Sequence, residues 1–192
     1  MPYFAPAIPL FKLKHLIERE AQRLRVYLGL GPDEPIDAVE VADWLGIEVR
    51  YPTGLRDLPE ESRKILLGTM RMKWSGLTIH LPNREIIVVL NPTHSKRRRQ
   101  ATLMEEVAHV HLGHEPSTIT VDPMTGLMRR SYDKRTETEA YRLGSSMLVP
   151  KCGLLALCAQ GFSAAAVAEH YCVSPELALF RINLCGLGQR AG

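Results

Sequence analysis

The chain has 192 residues, of which 45% are hydrophobic and 23% are charged, and its formal net charge is +3. This composition is typical of a globular protein and excludes wholesale disorder, while the small net charge does not by itself indicate a nucleic-acid partner. The opening segment, residues 1–20, lacks a charged n-region and contains three prolines. No uncharged run is long enough to cross a bilayer. We therefore expect a cytoplasmic protein without membrane contact.

The first third of the chain is predicted to form two helices and a strand before a polar loop. Apolar residues recur at helical spacing over residues 10–31, which predicts one helix. In residues 35–50, Asp37 is positioned as the N-cap of a second helix, which is followed by the strand IEVRY. Residues 52–63 are expected to be a loop, and residues 65–70 (ILLGTM) are a strand candidate.

The clearest signal in the chain is a β-hairpin, formed by GLTIHL (76–81), the turn PNR and EIIVVL (85–90). The next helix is expected to begin after Ser95 as N-cap and to end near Gly113. A further helix is predicted over residues 133–150, where a proline stops it. We therefore expect an α+β fold with a small antiparallel or mixed sheet.

We divide the chain into a main domain, residues 1–150, and a helical extension, residues 151–192. The extension has the helix–turn–helix rhythm of some DNA-binding proteins. Its last helix is mostly apolar, however, with Arg181 and Asn183 as polar projections. Reading base edges requires polar side chains directed into the groove, so packing is favoured over DNA contact.

The helix after the hairpin contains a motif of metal-binding type, in the sequence TLMEEVAHVHLGHEP. Glu105 and His109 are four residues apart, so they lie on one helix face and can reach one ion from the same side. The order resembles the zinc-peptidase motif H-E-x-x-H, with Glu105 in place of the first histidine and Glu106 at the position of the general base. One helix supplies two ligands, so a third is expected from ETEA, residues 137–140.

The succession of motifs is more specific than any single one. The run from WSGLTIHL through MEEVAHVHLGH to ETEAYRLGSSMLVP resembles the ImmA/IrrE family of zinc metallopeptidases over about residues 15–150. The resemblance implies a zincin-like fold with an active-site helix. By the same resemblance, Glu106 matches the catalytic glutamate and His109 a zinc ligand. Glu137 matches the third ligand, with Glu139 as the alternative, and His114 matches a trailing histidine that is not a ligand.

Two positions depart from the family pattern. Glu105 replaces the first zinc histidine, and Tyr141 replaces an Asn or Asp that would orient the ligands. Two carboxylates and one imidazole form a harder ligand set than the usual zinc set, so Mn²⁺ or Fe²⁺ are alternatives to Zn²⁺. More negative ligands also make the metal a poorer Lewis acid. We therefore expect weaker metal binding and lower peptidase activity than in a standard family member.

Three further features bear on function. The basic run SKRRRQ (95–100) is interpreted as a solvated helix start, with a DNA or acidic-peptide contact as the alternative, because basic residues oppose the dipole at a helix N-terminus. Tyr132 is a candidate oxyanion stabiliser, and Tyr141 a candidate for the same role or for orienting a ligand. The strand Glu85–Leu90 is predicted to be an edge strand that pairs with an extended substrate.

Three functional hypotheses follow. The first is a metal-dependent endopeptidase that, by resemblance, cleaves a helix-turn-helix repressor and so relieves transcriptional repression, as in stress responses. The second is a relative with weakened or no catalysis that binds a protein partner. The third is a DNA-associated regulator that uses the basic run and the helical extension.

Overall fold

The computed structural model describes residues 14–56, 58–115, 119–121, 128–130 and 133–188. In chain order the elements are α1 (Lys14–Tyr27), α2 (Ala38–Trp44), β1 (Ile47–Arg50), α3 (Glu60–Leu67), β2 (Gly76–His80), β3 (Ile86–Leu90), α4 (Lys96–Leu112), β4 (Ile119–Val121), β5 (Met128–Arg130), α5 (Lys134–Leu148), α6 (Lys151–Ala159), α7 (Ala164–His170) and α8 (Pro175–Leu184). The α+β architecture with a small mixed sheet is the one that the sequence predicts. None of these helices combines the length and the apolar character that a membrane span requires.

The main sheet has three strands in the order β1-β3-β2. β3 pairs antiparallel with β2, as the hairpin predicts, and parallel with β1. The prediction that Glu85–Leu90 is an edge strand is therefore wrong. The hairpin signal reveals one neighbour of β3, whereas the second comes from a strand that lies far earlier in the chain. A continuous apolar run such as IIVVL is typical of a strand with neighbours on both sides, and four of its five residues are buried.

Residues 65–70 are not a strand. Ile65 to Leu67 complete helix α3, which begins with Glu60 and Glu61 in its first turn, where negative charge is favourable. The indole Nε1 of Trp74 donates to the carbonyl of Leu66 over 3.0 Å and ties the end of α3 to the segment that enters β2. Leu66 and Leu67 are half-buried and Ile65 is exposed, so this short apolar run belongs to the end of a surface helix and not to a sheet.

Asn91 fixes the entry into β2. Its side chain is fully buried, and its Nδ2 donates to the carbonyls of Arg71 (2.6 Å) and Trp74 (2.9 Å). Its backbone N–H donates to the carbonyl of Ser75 over 3.0 Å. One buried amide thus holds the end of β3 against the start of β2, and it sets the position of the outer strand.

Helices α4 and α5 pack closely and form the frame of the candidate site. Helix α4 begins and ends as predicted: Ser95 accepts from the N–H of Arg98, and Gly113 ends the helix in the left-handed region with φ 67°. A Cβ atom at Gly144 on α5 would lie 2.9 Å from the carbonyl oxygen of Met104 and 3.2 Å from the amide nitrogen of Glu105. The absence of a side chain at position 144 therefore allows the two backbones to approach at the motif.

Replacing Gly144 with alanine is expected to lower the free energy of unfolding by about 1 to 3 kcal/mol, because the added methyl group meets backbone atoms that cannot rotate away. The same change should weaken divalent-metal binding by pushing α5 away from Glu105. Urea unfolding and metal titration check both effects. Gly54→Ala is the control, since its Cβ meets no atom within 4 Å. Equal effects of the two substitutions would contradict the close approach.

The helical extension contributes to the same hydrophobic core as α1, α4 and α5, and it includes Leu154, Leu157, Val167, Tyr171 and Ile182. Arg181 on α8 was predicted to project from the helix as a polar residue, and this prediction is wrong. Its side chain is fully buried. Its guanidinium pairs with both carboxylate oxygens of Glu18 (2.7 and 3.0 Å) and donates to the carbonyl of Val149 over 2.9 Å. Helix α8 is thus connected to α1 and to the end of α5. The division of the chain at residue 150 stays a prediction.

Candidate metal centre

Helices α4 and α5 bring three of the predicted ligands together. Glu105 and His109 lie one turn apart on α4, and Glu137 lies in the first turn of α5. One ligand atom from each of these half-buried side chains lies within 4.8 Å of the other two. The Nε2 of His109 is 3.8 Å from an Oε of Glu137. Among the described residues, this is the group of His, Cys, Asp and Glu side chains whose geometry fits a metal ion.

The donor set fits a divalent ion in chemistry and in approximate size. In a tetrahedral site with bonds of about 2.1 Å, neighbouring ligand atoms are about 3.4 Å apart. The 3.8 Å between the His109 Nε2 and the Glu137 oxygen is slightly larger, and a small side-chain rotation would close it. Two carboxylates balance the charge of a divalent cation, and one imidazole adds a softer ligand. Zn²⁺, Mn²⁺ and Fe²⁺ are all compatible with such a set.

The candidate ligand His109 begins a series of hydrogen bonds that continues through His114 to the carboxylate of Glu139. The Nδ1 of His114 is 3.0 Å from the Nδ1 of His109, and its Nε2 is 3.2 Å from an Oε of Glu139. A His109 that presents Nε2 to an ion carries its proton on Nδ1, and this N–H donates a hydrogen bond to the Nδ1 of His114. His114 then carries its own proton on Nε2 and donates it to Glu139. Each ring is thereby held in one tautomer and one orientation.

This arrangement assigns different positions to the two glutamates considered as the third ligand. Glu137 lies with Glu105 and His109, whereas Glu139 lies beside His114, where both side chains are 9% exposed. Side chains two positions apart on a helix point in roughly opposite directions, so Glu137 and Glu139 cannot bind the same ion. The spacing alone left both open, and the orientation of α5 against α4 separates them.

Glu106 lies beside the ligand group and against strand β2. The hydroxyl of Thr78 donates to an Oε of Glu106 over 2.5 Å. A Cβ at Gly76 would lie 3.4 Å from the other Oε of Glu106 and 2.7 Å from the methyl of Thr102, so β2 runs close to α4 at this point. Thr78 is absent from the residues predicted from sequence. The sequence feature that could have pointed to Thr78 is its position in the middle of the first hairpin strand, on the face that packs against α4.

The two candidate tyrosines have different outcomes. Tyr132 lies outside the described residues. Tyr141 is half-buried on α5, and its ring packs against Phe180 of α8 with 4.9 Å between the centroids. Burial raises the pKa of the Tyr141 phenol above its ordinary value, and the negative charge of Glu105 raises it further. Tyr141 therefore remains protonated and neutral, and its phenol lies close enough to Glu105 for the charge of that carboxylate to oppose its ionisation.

The arginines of the basic run are engaged within the molecule. Arg97 pairs with Glu169 of α7 over 2.6 Å, and Arg98 donates to the hydroxyl of Ser75 over 3.0 Å. Arg99 donates to the carbonyls of Pro92 (3.2 Å) and His94 (2.5 Å). These contacts connect the start of α4 to its neighbours.

A helix with two candidate ligands, a carboxylate from the next helix and a glutamate beside an outer strand together define a zincin-like metallopeptidase domain. A comparison with protein-family models matches residues 60–183 to the Peptidase M78 family, described as the IrrE N-terminal-like domain. The chain therefore belongs to the ImmA/IrrE family of metallopeptidases, which confirms the family predicted from sequence. A search of curated proteins finds no match.

Proposed function

We propose that this protein is a metal-dependent endopeptidase of the ImmA/IrrE type. The observation that carries the proposal is the convergence of Glu105, His109 and Glu137 on one point, with Glu106 alongside. A divalent ion bound there would polarise the scissile carbonyl and make water more acidic. Zn²⁺ is the first candidate, and Mn²⁺ or Fe²⁺ are alternatives because Glu105 makes the set harder.

In this proposal Glu106 is the general base and then the general acid. Its carboxylate takes a proton from the attacking water and passes it to the leaving amine. Thr78 holds one of its oxygens, which fixes the carboxylate against β2, the strand along which the substrate is proposed to bind. Glu106 thus carries out the proton transfer, and the hydrogen bond from Thr78 fixes the orientation of its carboxylate.

The extended substrate is proposed to bind along β2, which replaces β3 in this role. Among the described strands β2 pairs with β3 on one side only, and the face of β2 that carries Gly76 and Thr78 lies against Glu106. A peptide that adds to a sheet edge gains backbone hydrogen bonds and leaves its alternate side chains to determine specificity. Such pairing would place a peptide bond beside Glu106.

The proposed substrate is a helix-turn-helix repressor, and its cleavage would relieve transcriptional repression. This choice is supported by the family membership, and the cytoplasm is the corresponding compartment. A repressor encoded beside this gene is the substrate to test first. Mass spectrometry of the fragments would identify the bond that is cut.

The test combines metal analysis with one substitution. The purified protein is loaded with Zn²⁺, Mn²⁺ or Fe²⁺ and incubated with the repressor. Glu106→Gln should retain metal binding and lower the cleavage rate by roughly 10²- to 10⁴-fold, the usual contribution of a general acid–base group. Glu40→Gln, an exposed substitution on α2, is the matched control and should cleave at the parental rate. Undiminished cleavage by Glu106→Gln would exclude the proposed chemistry.

A second candidate function is supported by Glu105 itself. A carboxylate in place of a neutral histidine lowers the Lewis acidity of a bound ion, which favours binding of a protein partner over its cleavage. The same experiment separates the two functions. A binding protein retains its complex with the repressor after Glu106→Gln and generates no fragments in either form, whereas the enzyme loses its fragments.

A further inference from the structure

The two departures from the family pattern lie opposite each other on α4 and α5. Tyr141 is four residues after Glu137, which lies with Glu105 in the ligand group, and three residues before Gly144, which contacts the backbone of Glu105. Residues at these spacings share one face of a helix. The face of α5 that carries Tyr141 is thus in contact with the Glu105 turn of α4 on both sides of the tyrosine.

The hydrogen-bonding chemistry of the side chains at the two positions is complementary. A histidine ligand carries a proton on its second ring nitrogen and needs an acceptor such as Asp or Asn opposite it. An ionised glutamate ligand has no proton to donate and only accepts. An Asp opposite Glu105 would add a second negative charge without a hydrogen bond, whereas a tyrosine supplies an O–H donor.

We propose that Tyr141 is a positioning residue that donates a hydrogen bond from its phenol to the carboxylate of Glu105. Tyr141 then donates the hydrogen bond and the ligand Glu105 accepts it. With a histidine as the ligand the roles are reversed, since the ligand donates and its partner accepts. The inference rests on the proposed metal site. Phe180 of α8 packs against the ring of Tyr141 and limits its movement, so the helical extension supports the ligand set.

Metal affinity tests the pair without any substrate. Calorimetric titration with Zn²⁺ and with Mn²⁺ compares the parent with Tyr141→Phe, which keeps the ring and its packing and removes only the hydroxyl. Loss of a partner that orients a ligand typically weakens metal binding by about 10- to 100-fold, and this is the expected loss. Tyr171→Phe is the matched control, because the buried Tyr171 hydroxyl has no hydrogen-bond partner among the described residues.

A second pair of variants tests the exchange of donor and acceptor. Tyr141→Asp should weaken metal binding when Glu105 is present, because two acceptors then face each other. In the Glu105→His background the same substitution should strengthen it, because the imidazole N–H regains an acceptor. If Tyr141→Phe binds both ions as the parent does, or Tyr141→Asp acts in the same direction in both backgrounds, the pairing is wrong while the metal site stands.

A parent protein that binds neither ion would remove the proposed function, and the pair is then decided by stability. Urea unfolding in EDTA compares Tyr141→Phe in the parental and Glu105→Ala backgrounds. If the two side chains are hydrogen-bonded, the shift in midpoint caused by Tyr141→Phe disappears when Glu105 is removed. Equal shifts in both backgrounds would overturn the inference.

Discussion

Replacing Arg181 with alanine is expected to lower the free energy of unfolding by about 3 to 5 kcal/mol, the usual cost of breaking a buried ion pair from one side. Arg181 is fully buried, and Glu18 is 21% exposed. The substitution leaves the Glu18 carboxylate without its bidentate partner and the Val149 carbonyl without its guanidinium donor. Urea unfolding followed by circular dichroism measures the loss.

The matched control is the exposed pair of Arg97 and Glu169, whose side chains are 36% and 72% exposed. Its nitrogen–oxygen distance of 2.6 Å is close to the 2.7 Å between Arg181 and Glu18. Arg97→Ala should cost less than about 1 kcal/mol, because solvent screens such pairs. The double variant Glu18→Gln/Arg181→Met should recover part of the loss, since no unpaired charge remains. Similar small costs for Arg181→Ala and Arg97→Ala would show that burial does not strengthen the Arg181 pair.

Replacing His114 with phenylalanine is expected to weaken divalent-metal binding by about 10- to 100-fold, as when the partner that orients a histidine ligand is lost. Phenylalanine fills the volume but accepts no hydrogen bond from His109, and it leaves Glu139 without the imidazole. Glu139→Gln should have a smaller effect in the same direction, because its amide oxygen still accepts from His114. Calorimetric titration with Zn²⁺ measures both.

His80→Phe is the control for this experiment, because His80 is an exposed histidine at the far end of β2. It should bind metal as the parent does. A His114→Phe variant with parental affinity would mean that His109 is held by its helix alone. In that case the chain from Glu139 through His114 has no role in orienting the ligand.

Features set by local sequence could be predicted well. The limits of α4 follow from Ser95 and Gly113, whose capping chemistry acts within a few residues. The hairpin follows from two apolar runs and a short turn. The pairing of Glu105 with His109 follows from the helix repeat, and the family resemblance pointed to Glu137 on the next helix. Each of these depends on short-range geometry, which a sequence states directly.

Features that depend on distant partners could not be predicted in the same way. The central place of β3 requires β1, whose register pairs Ile47 with Ile86 across nearly forty residues. The position of Glu139 depends on how α5 is rotated against α4. Arg181 resembled a surface residue because its partner, Glu18, lies on the first described helix. No periodicity within one segment reports such contacts.

The Glu18–Arg181 pair joins residues that are 163 positions apart, and this separation has a consequence during synthesis. At about 5 to 20 residues per second, Glu137, the last of the candidate ligands in the chain, leaves the ribosome roughly 2 to 9 s before Arg181 does. During this interval Glu18 and the Val149 carbonyl await their cation, and Tyr141 awaits the ring of Phe180. The proposed metal centre would therefore have all of these supporting contacts only after α8 has left the ribosome.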